Sequence, residues 1–366
     1  MNRDKLPAHA KYSPSSINRL LACPMSINLC AKAPPQRESA YAAEGTEAHQ
    51  HCEDALLDYG ASIAAIGDPA MKAAAQIYLD YCDPILGRAN EYGIEAKAVY
   101  SEELFGTVDC YALEERTLHI IDFKYGMGVA VSPDRNTQLM TYAGLIIEDQ
   151  AIKIGWGDVD TVRLTVIQPR TPGEPVESWD CYPDVIVDHM VEVLESIRES
   201  QGEDPAGEIG DHCRWCTAKI ICPAVKAAEV GVMKWDSRAI PPEELGEMLV
   251  QAHVVEMKIK ELFSYAHSRL EDGVFVKGWK LVPKRASKYW TDPEKLEAWA
   301  KRNGHLNKLY QKKLITPAQA AKLFDDDSVN RFIESRSSGT NLKPSSDKAP
   351  EVQSLGGALS AIGSLS

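Results

Sequence analysis

Three residues in one short stretch are of the types that handle metal ions and phosphate charge: Asp109, Asp122 and Lys124. The stretch reads F-G-T-V-D-C-Y-A-L from Phe105, then E-E-R-T, then L-H-I-I-D-F-K ending at Lys124. Two β-prone runs around a polar connection predict a hairpin. With Leu113 facing Leu118, counting outward sets Asp109 opposite Asp122. Side chains alternate along a strand, so Asp122 and Lys124 share a face while Ile121 and Phe123 point the other way. Like charges directly opposed in a sheet are destabilising. A divalent cation between them would remove that penalty, because hard cations such as Mg²⁺ take oxygen ligands. The same residues also read as two solvated aspartates on an edge hairpin.

A second constellation is C-x2-C-x5-C, formed by Cys213, Cys216 and Cys222 within H-C-R-W-C-T-A-K-I-I-C-P. Three thiolates make most of a metal site and lack a fourth ligand. His212 would complete a local zinc knuckle. Cys23, which precedes a proline as Cys222 does, would complete the site from the other end of the chain by closing a large loop. Soft thiolates select Zn²⁺ or an iron–sulfur cluster. Cys30, Cys52, Cys82, Cys110 and Cys181 lie in or beside predicted helices and strands and read as small buried hydrophobes.

Local signals predict the elements that must position these groups. Ser13-Pro14 opens a helix, with serine at the cap and proline at the first helical position, ending near Cys23-Pro24. A second helix runs from about Ala42 to Tyr59 and stops at Gly60; His49 and Glu53 stand four apart on one of its faces. A third helical stretch covers about Pro69 to Tyr92, with a break near Asp83-Pro84. Strands follow at Ile94 to Tyr100, Gly106 to Leu113 and Leu118 to Phe123. Next come a glycine-bearing loop, a helix from about Thr137 to Glu148 with Gln138 and Tyr142 on one face, a strand at Val162 to Gln168 and an amphipathic helix at Val185 to Ser200. The order is that of a mixed α/β fold. Beyond the cysteine loop, helices are predicted at Pro242 to Glu271, Pro293 to Arg302, Pro317 to Phe324 and Ser328 to Ser335, with a hairpin around Val274 to Val282. The Ser-, Gly-, Ala- and Pro-rich end predicts a disordered tail. The expected division is a core over 1–230, a helical and basic α+β region over 231–336 and the tail over 337–366.

At 366 residues the chain can build a full core and a second unit. No apolar run approaches membrane-spanning length, and the N-terminus lacks the apolar stretch of a signal peptide, so a cytoplasmic location is expected. Nine cysteines then argue for metal ligation or burial rather than disulfides. The net charge of −13 does not advertise nucleic-acid binding, but it is unevenly spread. Gly273 to Thr316 holds eleven Lys+Arg against three Asp+Glu, a local +8 that leaves −21 for the rest. There Lys277, Lys280, Lys284, Arg285 and Lys288 interleave with Trp279, Tyr289 and Trp290. Basic groups match phosphates and aromatic faces stack on unpaired bases, so Lys284, Arg285, Lys288 and Trp290 are candidate DNA contacts. The same pattern also suits a cap whose aromatics are core and whose lysines are solvated.

Together these features resemble the iron–sulfur branch of the PD-(D/E)XK nucleases: the nuclease domains of RecB-type and AddB-type recombination enzymes, and the CRISPR-associated exonucleases. The resemblance covers about Ser13 to Pro223. The family's G-x-x-x-H helix matches Gly45 to His49, its G-x-x-D motif Gly106 to Asp109, its (D/E)-x-K motif Asp122-Phe123-Lys124, and its Q-x-x-x-Y motif Gln138 to Tyr142. Its split cysteine set matches Cys23 with Cys213, Cys216 and Cys222. Two departures stand out. Asp122 replaces the glutamate of many relatives, and Thr107-Val108 precede Asp109 where the motif's name has proline. Beyond Val225 the chain is not covered and resembles phage and prophage proteins.

The resemblance implies a restriction-endonuclease-like core, with helices flanking a central mixed sheet, and a smaller C-terminal α+β region. It implies a Mg²⁺- or Mn²⁺-dependent deoxyribonuclease, acting as an exonuclease on single-stranded DNA or a duplex end in phage recombination, replication or repair. That places it in the cytoplasm of a bacterial host, alongside a recombination or annealing partner protein. His49, Asp109, Asp122 and the Phe123 carbonyl would hold the metal, and Asp109, Asp122, Lys124, Gln138 and Tyr142 would form the catalytic set. Glu95 and Glu53 would stand behind them, Glu53 fixing the His49 tautomer. Cys23, Cys213, Cys216 and Cys222 would hold a [4Fe-4S] cluster as a structural staple, with Zn²⁺ as the alternative. Two rival functions are a catalytically weak nuclease-fold module for DNA binding or assembly, and a zinc-bearing DNA-binding scaffold.

Overall fold

The computed structural model describes residues 3–33, 40–58, 60–127, 130–234, 241–282 and 293–302. Candidate DNA contacts Lys284, Arg285, Lys288 and Trp290, the helices predicted after residue 316 and the predicted tail lie outside them. The chain divides into two units, 1–282 and 283–366.

The first unit is a mixed α/β fold around a five-stranded sheet: β1 Glu91–Val99, β2 Phe105–Glu114, β3 Thr117–Phe123, β4 Thr161–Ile167 and β5 Val176–Cys181, in that spatial order. β1, β2 and β3 are antiparallel neighbours, and β4 and β5 are antiparallel. β3 and β4 run parallel, which requires a crossover, supplied by the helix α5 over Thr137–Glu148. Leu118, Ile120, Ile121 and Phe123 are all buried, as befits a central strand covered on both faces.

Each face of the sheet has its own helical layer. On one side lie α1 (Ile17–Ala22), α2 (Met25–Cys30), α5 and α6 (Pro183–Ser200), sharing a core with Val108, Leu118, Ile120, Leu164 and Val166. On the other lie α3 (Ala40–Leu57) and α4 (Pro69–Leu86), packed on Cys110, Ala112, Ile121, Phe123 and Ile167. Asp68 caps α4 by accepting from the Met71 N–H, and Asn136 caps α5 by accepting from the N–H groups of Gln138 and Leu139. After the cysteine loop come α7 (Pro223–Val232) and the long α8 (Pro242–Glu271). The second unit's described residues form α9, Pro293–Arg302.

Three expectations need correction. The third helix does not break at Pro84; the proline sits in its last turn, and the helix ends at Leu86. Glu91 and Tyr92 therefore belong to β1, not to the helix. No strand forms over Val274 to Val282: those residues trace a turn, with Gly273 and Gly278 at φ of +78° and +81°. Phe275, Trp279 and Val282 are all exposed there, with Trp279 edge-on to Phe263 of α8. β5 carries little strand signal in the sequence, because its V-E-S-W-D-C is short and polar, as an edge strand can be.

Candidate metal centre and cysteine site

The hairpin has the expected register, with Leu113 opposite Leu118 and Cys110 opposite Ile121. One step further out, Asp109 and Asp122 stand across from each other beyond the last paired residues. Their carboxylates are held by different donors. Asp109 Oδ2 accepts from the Phe123 N–H at 2.8 Å and lies 3.5 Å from His49 Nδ1. Asp122 Oδ1 accepts from Lys124 Nζ at 2.9 Å and from Gln138 Nε2 at 3.2 Å. Lys124 Nζ also reaches Gln138 Oε1 at 3.5 Å, so lysine, aspartate and glutamine form a closed triangle. Asp122 Oδ2 lies 2.8 Å from Lys124 Nζ but has no hydrogen-bond donor in line with it, and it is buried.

Among the described residues, the three-residue set whose ligand atoms all lie within 4.8 Å of one another is His49, Glu95 and Asp109. Glu95 was read from sequence as a group behind the site; the structure places it among the candidate ligands. The β1–β2 ladder explains how. Ile94 pairs with Cys110 and Ala96 with Val108, which sets Glu95 opposite Asp109. Glu95 has a φ of +45°, an uncommon left-handed conformation for a residue with a side chain, in the middle of a strand. A lone carboxylate in the run I-E-A-K-A-V was the available signal. Glu53 pairs instead with Gln50, whose Nε2 donates to it at 2.9 Å.

Burial and clustered carboxylates dominate the electrostatics, with Lys124 as the neighbouring cation. Burial, then the neighbouring Asp122, push the Asp109 carboxyl up to about 6, against the pull of His49, Lys124 and the Phe123 N–H. Burial, then Asp109 and Glu53, push Glu95 up to about 7. For Lys124, burial disfavours the charge, but Asp122 and Asp109 together outweigh it and raise the pKa.

Tyr142 is buried beneath this group, its phenol pushed up by burial and hydrogen-bonded to Gln138. Gly106 explains itself here. A Cβ at that position would lie 2.7 Å from Pro14 Cγ and 2.9 Å from Tyr142 Cε1. Gly45, by contrast, has nothing within 4 Å of its Cβ position and borders the cleft. That cleft has a volume of about 440 Å³ and is lined by Gly45, Thr46, His49, Glu95, Lys124, Tyr125 and Gly126. Beside it stands a cation that the sequence reading missed. Arg170 stacks over Tyr125 with its guanidinium carbon 4.3 Å from the ring centre, and bonds Glu44 at 2.8 Å.

The cysteines assemble from both ends of the core. Cys23, Cys213, Cys216 and Cys222 are all buried and line one cavity with Ser26, His212 and Lys219. Burial pushes the thiols of Cys23 and Cys213 up, and proximity to Cys222 adds to both. The Ser26 hydroxyl is buried there without a hydrogen-bond partner. His212 lines the same cavity, but its Nε2 is bonded to the Glu208 carbonyl at 3.1 Å. Lys219 Nζ bonds the carbonyls of Arg214 and Cys216 and lies 3.6 Å from Glu261 of α8. Cys52, Cys82 and Cys110 lie in the core under α3 and α4, and Cys181 in the opposite core, as expected. Cys30 does not behave as a buried hydrophobe: it is half-buried, with its sulfur 3.6 Å from that of Cys216.

No described helix is long and apolar enough to cross a membrane. Among solved structures, one titled "Crystal structure of SSO0001" is similar at 15% identity over 57% of this chain and 96% of that one, with a TM-score of 0.24. The family described as "Protein of unknown function (DUF2800)" matches residues 9–78 and 68–350, and the chain belongs to that family.

Proposed function

We infer that the cleft is the active site of a divalent-metal-dependent DNA nuclease, an exonuclease acting in phage recombination, replication or repair. The observation that carries this reading is the convergence of His49, Glu95 and Asp109 beside the Asp122–Lys124–Gln138 triangle. The donor set suits Mg²⁺ or Mn²⁺: carboxylate oxygens with one imidazole, and two carboxyls, Asp109 and Glu95, raised by burial and by neighbouring carboxylates. His49, Glu95 and Asp109 would hold the ion, with Asp122 Oδ2 and the Phe123 carbonyl as further oxygens. An ion held there would supply a water of lowered pKa and would stabilise negative charge developing on the scissile phosphate.

The chain's own residues do the rest. Phe123 N–H fixes the Asp109 carboxylate, so the ligand oxygen is set before any ion arrives. Lys124 is oriented by Asp122 and Gln138 and presents its charge to a phosphate oxygen or the attacking water. Tyr142 braces Gln138 from below. Cys23, Cys213, Cys216 and Cys222, with the orphan hydroxyl of Ser26 among them, suit a thiolate-bound metal, an iron–sulfur cluster or zinc, which would tie the N-terminal helices to the end of the core.

The test is incubation of the full chain with end-labelled linear DNA, single- and double-stranded, with Mg²⁺ or Mn²⁺ and with chelator. Metal-dependent shortening from an end supports the reading. DNA binding without cleavage would replace it with a nuclease-fold binding or assembly module.

A further inference from the structure

We propose that Arg170 is a positioning residue for the metal centre: it clasps the two walls of the cleft together and so holds His49 where a shared cation needs it. This rests on the reading that His49, Glu95 and Asp109 hold a divalent metal. One wall is α3, with Gly45, Thr46 and His49; the other is the chain leaving β3, with Lys124, Tyr125 and Gly126. Arg170 does not line the cleft, and its mostly buried side chain contacts both walls. Its Nη1 donates to Glu44 Oε1 at 2.8 Å and to the Tyr125 carbonyl at 3.5 Å, and its Nη2 lies 3.1 Å from Met127 Sδ.

The neighbouring groups explain why an arginine stands here. Arg170 follows β4 in a turn closed by Thr171, whose N–H and hydroxyl both donate to the Gln168 carbonyl. Its guanidinium lies over the Tyr125 ring, 4.3 Å from the ring centre. Tyr125 in turn stacks on Phe123 with ring centres 6.2 Å apart, and Phe123 meets the His49 imidazole edge-on at 5.5 Å. Glu44 stands a little more than one helical turn before His49 in α3. Arg170 therefore reaches His49 by two routes, one through packed rings and one through the helix backbone. A planar fork that stacks and donates in several directions at once suits arginine and not lysine. The charge has the wrong sign to attract a cation, because a guanidinium beside the site repels the ion. Any help Arg170 gives to metal binding thus comes through position.

Mn²⁺ affinity should be measured by calorimetry on the full chain and on Arg170→Met, Glu44→Gln and the double variant. Imidazole NMR signals should be recorded on the same chains in chelator, with His49→Gln identifying the His49 signal. Arg170→Met should weaken Mn²⁺ binding by about tenfold. The double variant should lose no more than that, because the two partners act as one unit. The His49 signal should move in both single variants without metal. Tighter Mn²⁺ binding by Arg170→Met, which removal of a positive charge alone would give, overturns the proposal. So do losses that add in the double variant, or a His49 signal that stays in place. If Arg170→Met does not fold, Glu44→Gln decides through the same signal, which an ordinary surface ion pair would leave unmoved. A wild-type chain that binds no Mn²⁺ would instead overturn the underlying reading of the centre, while the His49 signal would still test the clasp.

Discussion

His49 Nδ1 lies 3.5 Å from Asp109 Oδ2, although the histidine comes from the helix α3 over one face of the sheet and the aspartate from β2. The contact sets one of the two opposed aspartates beside the histidine and leaves the other beside the lysine. Asp109 faces His49 and Glu95, and Asp122 faces Lys124 and Gln138.

The two aspartates should therefore respond differently to neutralisation in metal-free protein. Asp109→Asn removes a carboxylate that burial and Asp122 already disfavour, and should leave stability unchanged or raise it. Asp122→Asn leaves the Lys124 ammonium without its ion-pair partner and should cost about 1–3 kcal/mol. Urea unfolding of both variants in chelator tests this; equal stabilities would mean the Asp122–Lys124 pair is not the anchor of the site.

The two motif glycines should also part company. Gly106→Ala drives a Cβ into Pro14 and Tyr142 and should cost about 1–3 kcal/mol, because the proline ring cannot rotate away. Gly45→Ala meets nothing and should stabilise α3 by up to about 1 kcal/mol through helix propensity. Thermal midpoints of the two variants would move in opposite directions.

A pH dependence arises on the opposite face of the sheet. His189 is buried in α6 with its Nε2 2.8 Å from Thr141 Oγ1, and burial lowers its pKa to about 4. The Thr141 hydroxyl donates to the Thr137 carbonyl, so the histidine is the donor in their bond. The folded chain then binds fewer protons at this site than the unfolded chain between about pH 6.5 and 4. Its neutral form is no burden above that window, and stability falls as the pH drops through it, by roughly 3 kcal/mol in all. Denaturant midpoints from about pH 7 to about pH 5 should fall more steeply for the wild type than for His189→Gln; parallel curves would refute the assignment.

Cys23→Ser should strip the metal from the cysteine site and lower stability by several kcal/mol. Cys181→Ser, in the other core, should leave metal content unchanged. Metal analysis of both separates a ligand from a packing thiol.

What could be read from the sequence depended on how far apart the determining residues are. The β2–β3 hairpin is local, so its alternation and one assumed pair sufficed to set Asp109 across from Asp122. Helices with clear caps, such as α5 behind Asn136, were legible for the same reason. Glu95 was not, because its role depends on the β1–β2 register and on a left-handed residue that no local pattern announces. Arg170 and Cys30 act through partners on distant segments, Tyr125 and Cys216, and each looks ordinary where it stands in the chain. For Cys23 local signals left His212 as an equal alternative, and only the resemblance selected it; its cavity is built by folding the whole core between it and Cys213.

The proposed chemistry depends on a divalent cation binding between His49, Glu95 and Asp109. Calorimetric titration of Mn²⁺ into the full chain tests it most directly. Mn²⁺ should bind, Glu95→Gln should weaken that binding by about tenfold or more, and Asp109→Asn should abolish it. Identical titration curves for wild type, Glu95→Gln and Asp109→Asn would contradict it.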